Sequence, residues 1–282
     1  MLLVLAACGN DSSSGDGDGS DKEDKTIEIG LNNWAENVAV SNMWKIILED
    51  EGYSVKLNMT EKGPLYQALE SDDLDLALEV WLPHTDEAFY EDYKEDVDFH
   101  KDQPWFNGTT LGLAVPSYVD VNSIEELNDN KDLFEDGKIY GIDPGSSLMG
   151  LTDEALDEYG LDYTTASSSG PAMTTQLGES IRKEEPILVT LWKPHWVFAE
   201  YELKFLEDPK NVYGDEENII WMSRQGFTDD FPEVTEYINT WEMDDQQLGS
   251  LMNMVKEADE PAEGAQKWVD ENEELINEWL GK

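Results

Sequence analysis

The segment Thr110-Leu111-Gly112-Leu113-Ala114-Val115-Pro116 decides the fold, together with Ile219-Ile220-Trp221-Met222-Ser223 later in the chain. Both are apolar runs of a length that predicts extended strands. The block 116–218 between them has its own strand-helix-strand pattern, so the chain leaves one lobe, builds a second and returns. We therefore predict a hinged, two-lobed α/β protein whose ligand cleft lies between lobe A, residues 26–115 plus 219–282, and lobe B, residues 116–218.

Strand-like and helix-like segments alternate along the rest of the body, which is typical of an α/β fold. The predicted strands are 26–31, 53–59, 74–81, 110–115, 138–142 and 186–192. The predicted helices are 38–51, 64–71, 146–159 and 174–184. The C-terminal third has helical spacing, and we expect its Trp268 and Trp279 to pack in the core or between the lobes.

Three tryptophans stand where predicted strands end. Trp81 in Val80-Trp81-Leu82-Pro83-His84 and Trp192 in Leu191-Trp192-Lys193-Pro194-His195 each come just before a strand-stopping proline, and Trp34 follows the first strand. Open α/β sheets bind ligands at the carboxyl ends of their strands. Core packing is the commoner fate of a single tryptophan. Three convergent indole faces, however, would suit a quaternary ammonium, which cannot donate a hydrogen bond and is held by aromatic faces.

A second candidate subsite is the strand-turn-helix segment Gly141-Ile142-Asp143-Pro144-Gly145-Ser146-Ser147-Leu148-Met149-Gly150. The start of a helix presents unpaired amides and a partial positive charge, so it binds carboxylates and phosphates. A plain helix N-cap by Ser146 or Ser147 explains the same residues equally well. The segment is neither a P-loop nor a dinucleotide-binding fingerprint.

The charge and the missing motifs exclude several function classes. The 282-residue chain has a formal net charge of −46, which argues against nucleic acid and anionic lipid as partners because both are negative. The sequence contains only three histidines, His84, His100 and His195, and lacks HExxH, CxxC and GxSxG patterns. We therefore predict no catalytic residues, no metal site and no cofactor.

The start of the chain predicts a lipid anchor. Cys8, the only cysteine, follows Leu5-Ala6-Ala7, and this arrangement resembles a bacterial lipoprotein cleavage site. We predict that residues 1–8 are a truncated lipoprotein signal with Cys8 as the lipidated residue, and that residues 9–25 are a flexible acidic tether. A buried or incidental cysteine is the alternative. No later segment is an apolar run long enough to span a membrane.

Taken together, these motifs resemble the glycine-betaine-binding lipoproteins of OpuA-type ABC importers. The resemblance covers nearly everything from residue 26 onward. It is carried by Trp34 with Asn37-Val38-Ala39, Glu79-Val80-Trp81-Leu82-Pro83, Leu113-Ala114-Val115-Pro116, Val121-Asn122-Ser123-Ile124-Glu125-Glu126-Leu127, Gly141-Ile142-Asp143-Pro144-Gly145, Ser168-Ser169-Gly170-Pro171-Ala172-Met173-Thr174, Trp192-Lys193-Pro194-His195-Trp196, Lys204-Phe205-Leu206-Glu207-Asp208-Pro209-Lys210 and Arg224-Gln225-Gly226-Phe227.

The resemblance implies a type II periplasmic-binding-protein fold and a set of site residues. It places a tryptophan box for the trimethylammonium group on Trp34, Trp81 and Trp192. It places the ligand carboxylate on two successive backbone amides, those of Ser147 and Leu148. Relatives may carry glycine where Ser147 stands, which is a mild change because the backbone makes the contact.

One position departs from the family pattern. Relatives can have a carboxylate-binding histidine five residues after the second tryptophan, where this chain has Asp86, and a histidine stands two residues earlier as His84. An ionised Asp86 would repel a ligand carboxylate. We therefore expect that His84 takes over the contact, that Asp86 points away, or that the ligand has no carboxylate.

The resemblance implies a non-enzymatic receptor at the extracellular face of the cytoplasmic membrane. It would capture glycine betaine or a similar quaternary ammonium solute for osmoprotection, and deliver it to an ABC permease driven by its ATPase. We expect a lipid-anchored monomer that contacts the membrane only through its anchor. A choline or carnitine receptor on the same scaffold is the nearest alternative. An extracellular hydrolase is a remote one, because a nucleophile and base are missing.

The acidic composition generates a prediction about salt. Like-charge repulsion is screened within about 3 Å at about 1 M salt, so an acidic, halophilic protein tolerates its charge there. We expect the melting temperature of ligand-free protein to rise from low to molar NaCl. A flat or falling melting temperature would indicate an ordinary acidic secreted protein.

Overall fold

The computed structural model describes residues 26–282. Cys8 and the predicted tether 9–25 lie outside the described residues. Within the described range the strands are β1 (Thr26–Leu31), β2 (Ser54–Met59), β3 (Leu76–Leu82), β4 (Val97–Phe99), β5 (Phe106–Pro116), β6 (Lys138–Tyr140), β7 (Thr164–Ala166), β8 (Val189–Lys193), β9 (Leu203–Phe205) and β10 (Glu217–Arg224).

The helices lie between the strands and form the whole C-terminal part of the chain. They are α1 (Ala35–Asp50), α2 (Lys62–Glu70), α3 (Glu87–Tyr93), α4 (Ser147–Tyr159), α5 (Gly170–Arg182), α6 (Val197–Glu200), α7 (Phe227–Asp230), α8 (Pro232–Thr240), α9 (Asp245–Glu257), α10 (Pro261–Glu271) and α11 (Glu273–Trp279), with short 3₁₀ turns at Ile124–Glu126 and Asn128–Leu133. No helix in the described range is long and apolar enough to cross a membrane.

The sheet has two halves that share one long strand. Its order is β2-β1-β3-β10-β5-β8-β6-β7, with β4 beside β10 and β9 beside β5. In β5, residues Phe106, Asn107 and Thr109 pair with β10, whereas the residues from Thr110 to Ala114 pair with β8. Because β5 runs from one half into the other, the segment predicted as a crossing between lobes joins the two halves of the sheet.

All six predicted strands are present, and most of their ends differ from the prediction by a few residues. The three strands that the sequence pattern missed, β4, β7 and β9, have three residues each, too few to show a period of two. The return to the first half lies between β9 and β10, since β10 pairs with β3 from Asn218 onward. The lobe boundaries at 115–116 and 218–219 stay predictions.

Five tryptophans form an aromatic core under the C-terminal helices. Trp105 stacks on Trp241 with ring centroids 4.4 Å apart, and Trp241 meets the edge of Trp44 at 5.5 Å. Trp279 stacks on Trp268 at 6.3 Å and on Trp44 at 6.4 Å. Trp268 and Trp279 are buried, which confirms their predicted role as core residues. This cluster fixes α1 against α10 and α11, and α1 begins beside the candidate site.

Candidate functional site

A cavity lies between the two halves of the sheet, at the strand ends, with about 340 Å³ of empty space that includes its opening to solvent. Both halves contribute to its wall, which is formed by Trp34, Glu36, Lys62, Trp81, Thr85, Asp86, Leu111, Ile142, Ser146, Ser147, Leu148 and Trp192. The structure therefore brings the three predicted tryptophans together with the predicted amide site.

The three cavity tryptophans are held by carboxylates behind them. Trp34 immediately precedes α1, Trp81 is the second-last residue of β3, and Trp192 is the second-last residue of β8. Their exposed fractions are only 8%, 4% and 4%. An indole has a single N–H donor, and a bond to that donor fixes the plane of the ring. All three rings are thus held in place, and each ring forms part of the cavity wall.

Each indole N–H has a different carboxylate partner. The Trp34 Nε1 atom donates to Asp143 Oδ1 at 2.9 Å, and Trp192 Nε1 donates to Glu36 Oε2 at 2.8 Å. Trp81 Nε1 donates to Glu79. The first two bonds join residues from opposite halves of the sheet. They therefore hold the two sides of the cavity together as well as orienting the rings.

The start of α4 presents two free amides to the same cavity. Ser146 is the N-cap: its side chain accepts a hydrogen bond from the Met149 amide. Ser147 and Leu148 are the first two residues of the helix, and among the described residues their amides have no hydrogen-bond acceptor. The capping explanation therefore holds for Ser146, and the anion site at the next two residues stays a prediction.

Asp86 faces the cavity as part of a buried ion pair. Its Oδ2 accepts from Lys62 Nζ at 2.6 Å and from the Trp81 amide at 2.9 Å. Its Oδ1 accepts from the Ser147 hydroxyl at 2.7 Å, across the cleft. Only 1% of the Asp86 and Lys62 side chains is exposed. Of the three expectations for this position, the idea that Asp86 points away from the cavity is therefore wrong.

The structure does not bring His84 into the cavity wall. Its side chain is exposed and its ring lies against Gly214, where a Cβ would stand 3.0 Å from the imidazole. The His84 amide donates to Glu217 Oε2 at 2.8 Å. The expectation that His84 takes over the carboxylate contact is corrected accordingly, since the cation in the wall is Lys62.

Glu36 and Glu79 form a buried acid pair below the rings. Both residues are buried, with an exposed fraction of only 1% each. Burial is the largest cause that raises the pKa of Glu36 to about 7, and hydrogen bonds from its own backbone, Trp192 and Glu79 oppose it. Burial and the neighbouring Glu36 also raise the pKa of Glu79 well above its ordinary value.

Sequence reasoning missed Lys62, Glu36, Glu79 and Asp143 as site residues. One signal for Lys62 was available, because a lysine as the first residue of a helix opposes the helix dipole and needs another reason to be there. Within residues 26–282, no group of three or more His, Cys, Asp or Glu residues could hold a metal ion.

Comparison with known proteins agrees with this geometry. Residues 25–271 match the model of the substrate-binding domain of ABC-type glycine betaine transport systems. The chain belongs to this family. The family consists of transport binding domains rather than enzymes, in agreement with the absence of catalytic motifs from the sequence.

Individual relatives support the family assignment. The glycine betaine/carnitine transport binding protein GbuC of Listeria monocytogenes serotype 1/2a (strain 10403S) is 37% identical over 144 residues, which are 50% of this chain and 48% of GbuC. This chain therefore matches about half the length of that curated relative.

Two solved structures cover almost the whole fold. Lactococcal OpuAC in its closed-liganded conformation with glycine betaine is 30% identical, with a TM-score of 0.84 over 91% of this chain and 99% of that one. ProX from Borrelia burgdorferi, described as a glycine/betaine/L-proline-binding protein, is 33% identical, with a TM-score of 0.85 over 90% of this chain and 96% of that one. These similarities confirm the predicted two-lobed periplasmic-binding-protein fold.

The buried pair predicts a large effect of Asp86 on stability. We expect Asp86→Asn to destabilise the ligand-free protein by about 3–5 kcal/mol, because it removes the carboxylate that pairs directly with the buried Lys62 ammonium. The matched control is Asp162→Asn, because Asp162 forms an ion pair with Lys131 but its side chain is exposed. This substitution should lower the free energy of unfolding by less than about 1 kcal/mol. Urea unfolding measures both. Equal effects of the two substitutions would contradict the burial of this charge pair.

Proposed function

We propose that the protein captures glycine betaine in this cavity. The observation that carries the proposal is the pairing of two subsites in one cavity: three immobilised indole rings on one side and two unpaired helix amides on the other. Betaine carries a trimethylammonium group and a carboxylate at opposite ends of a short molecule. The similarity to a lactococcal protein complexed with glycine betaine supports this assignment.

The ammonium end would be held by the three rings and by negative charge behind them. A cation over an indole contributes about 0.5–2 kcal/mol per ring. Three rings then give several kcal/mol, short of the ~8 kcal/mol of micromolar affinity. Glu36, which lines the cavity, adds a carboxyl group to the same wall.

The carboxylate end would be held by the amides of Ser147 and Leu148, with Lys62 as the balancing cation. An ammonium has three donors, and Lys62 uses two of them, on Asp86 and on the Glu79 carbonyl. Because Lys62 also lines the cavity, we expect its third donor to reach the carboxylate of a bound ligand. Lys62 thereby offsets the repulsion that Asp86 alone would exert on a carboxylate.

The wider role follows the family. We propose that the protein works outside the cytoplasmic membrane and delivers its ligand to an ABC permease with an ATPase, in osmoprotectant uptake. Anchoring through a lipid on Cys8 and a monomeric state belong to the same proposal. A choline or carnitine receptor is the second candidate, because the tryptophan wall recognises the ammonium group that these solutes share with betaine.

The tryptophan wall is tested by truncation. Trp81→Ala and Trp192→Ala should each weaken betaine binding by at least ~1 kcal/mol, because each removes one face of the cation site. Trp279→Ala is the matched control: it should lower stability with little effect on affinity, since Trp279 packs in the distant aromatic core. Calorimetry measures both quantities. Unchanged affinity in both cavity variants would refute the proposed cation site.

Selectivity tests the carboxylate subsite separately. Betaine should bind at least about tenfold more tightly than choline, because the choline hydroxyl arm leaves donors built for an anion poorly paired. Lys62→Met should shift the preference towards choline, since it removes a cation and leaves Asp86 as an unbalanced anion. Choline that binds as tightly as betaine to the unchanged protein would favour the choline receptor and leave the tryptophan wall intact.

A further inference from the structure

The carboxyl groups of Glu36 and Glu79 meet beneath two of the cavity tryptophans. Glu36 lies in the first turn of α1 and Glu79 in the middle of β3. Trp192 donates its indole N–H to one oxygen of Glu36, and Trp81 donates its indole N–H to Glu79 Oε1. One oxygen of each acid is thus engaged by a ring of the cation site.

The second carboxyl oxygen of Glu79 has no hydrogen-bond donor within residues 26–282. Glu79 Oε2 is buried, and in the described part of the chain no hydrogen-bond donor reaches it. Glu36 is the neighbouring buried acid, and each of the two carboxyl groups affects the pKa of the other. Two ionised carboxylates have only acceptors, so they can hydrogen bond to each other only when one of them carries a proton. A proton shared by the pair satisfies the otherwise unpaired oxygen and relieves the repulsion between two buried charges.

The surroundings leave the pair short of positive charge. From α2, the Lys62 ammonium faces it but donates to the Glu79 backbone carbonyl and to Asp86, which itself adds negative charge from the turn before α3. Tyr66 of α2 is buried with an unpartnered hydroxyl. From the turn before α4, Asp143 bonds to the Trp34 indole. In the described part of the chain, Lys62 therefore faces the carboxyl groups of Glu36, Glu79 and Asp86.

We propose that a quaternary ammonium entering the cavity displaces the proton shared by Glu36 and Glu79 into solvent, so that ligand binding and proton release are coupled. The proposal rests on the proposed cation site. Glu36 lines the cavity, so a bound cation stabilises the ionised pair. In the empty site, the shared proton offsets the repulsion between the two carboxyl groups instead. The proton leaves as the positive charge arrives, and no other bond is broken.

The sign of the pH dependence follows from this exchange. Burial raises the pKa of Glu36 to about 7, so the proton is held in the empty protein at mildly acidic pH. Cation affinity should be lower there and rise with pH until the pair is ionised in the empty protein as well. Burial lowers the pKa of His100 to about 4 and of His195 to about 3, so neither histidine titrates in this range.

The direct test is calorimetry with tetramethylammonium, a probe that has no titratable group. At neutral pH, titrations in two buffers of different ionisation enthalpy should give different heats, and the difference should correspond to release of a substantial fraction of one proton. Affinity should rise between about pH 6 and about pH 8, by at most roughly tenfold per pH unit, the limit for one linked proton. Identical heats and a flat affinity would overturn the proposal.

Three variants identify the source of the proton. Glu79→Gln should release no proton when it binds tetramethylammonium, because its amide donates to Glu36 as the shared proton did. Glu36→Gln should also release no proton. His84→Gln removes the exposed histidine near the cavity and should leave the release unchanged. Loss of release in His84→Gln, or its persistence in both glutamate variants, would overturn the assignment.

Betaine separates this proposal from the function on which it rests. If betaine and tetramethylammonium bind to the unchanged protein without proton release, the linkage is wrong and the proposed function stands. If neither binds at any pH in this range, the cation site and the linkage fall together.

Discussion

Hydrogen bonds from the three indole N–H groups to acidic side chains determine the geometry of the cavity. Trp34 is tied to Asp143, Trp81 to Glu79 and Trp192 to Glu36. Two of these bonds join opposite halves of the sheet, so the same contacts that aim the rings also hold the cleft closed. A ring that is fixed in this way needs no reorganisation when a cation arrives, and the carboxylates behind the rings make the wall electrostatically favourable for one.

The charge of Asp86 is also balanced over a very short distance. Asp86 reaches into the cavity, where a ligand carboxylate would be repelled, but the buried Lys62 ammonium lies 2.6 Å away from Asp86. The Ser147 hydroxyl then uses the other Asp86 oxygen as an acceptor across the cleft. A site with helix amides, one ammonium and several carboxyl groups suits a zwitterion better than a simple cation or anion. Specificity for a zwitterion then depends on the neutralisation of Asp86 by Lys62 as much as on the aromatic wall.

Much of this arrangement could be predicted from the sequence, for physical reasons that differ between residues. Trp34, Trp81 and Trp192 stand at strand ends, and strand periodicity is a strong signal, so their convergence was predictable. The start of α4 was predictable from its turn and capping residues. Lys62, Glu36 and Glu79 were not, because a buried charge is recognised only by its partner in space. His84 misled for the opposite reason: it is close to Trp81 in sequence, but its exposed imidazole lies against Gly214 and not in the cavity wall.

The central claim is that one small zwitterion bridges the tryptophan wall and the start of α4. A crystal structure of the protein grown with glycine betaine tests it most directly. The account predicts the trimethylammonium group between the rings of Trp34, Trp81 and Trp192, with the carboxylate oxygens within hydrogen-bond distance of the Ser147 and Leu148 amides. Betaine bound in the reverse orientation, or outside this cavity, would contradict it.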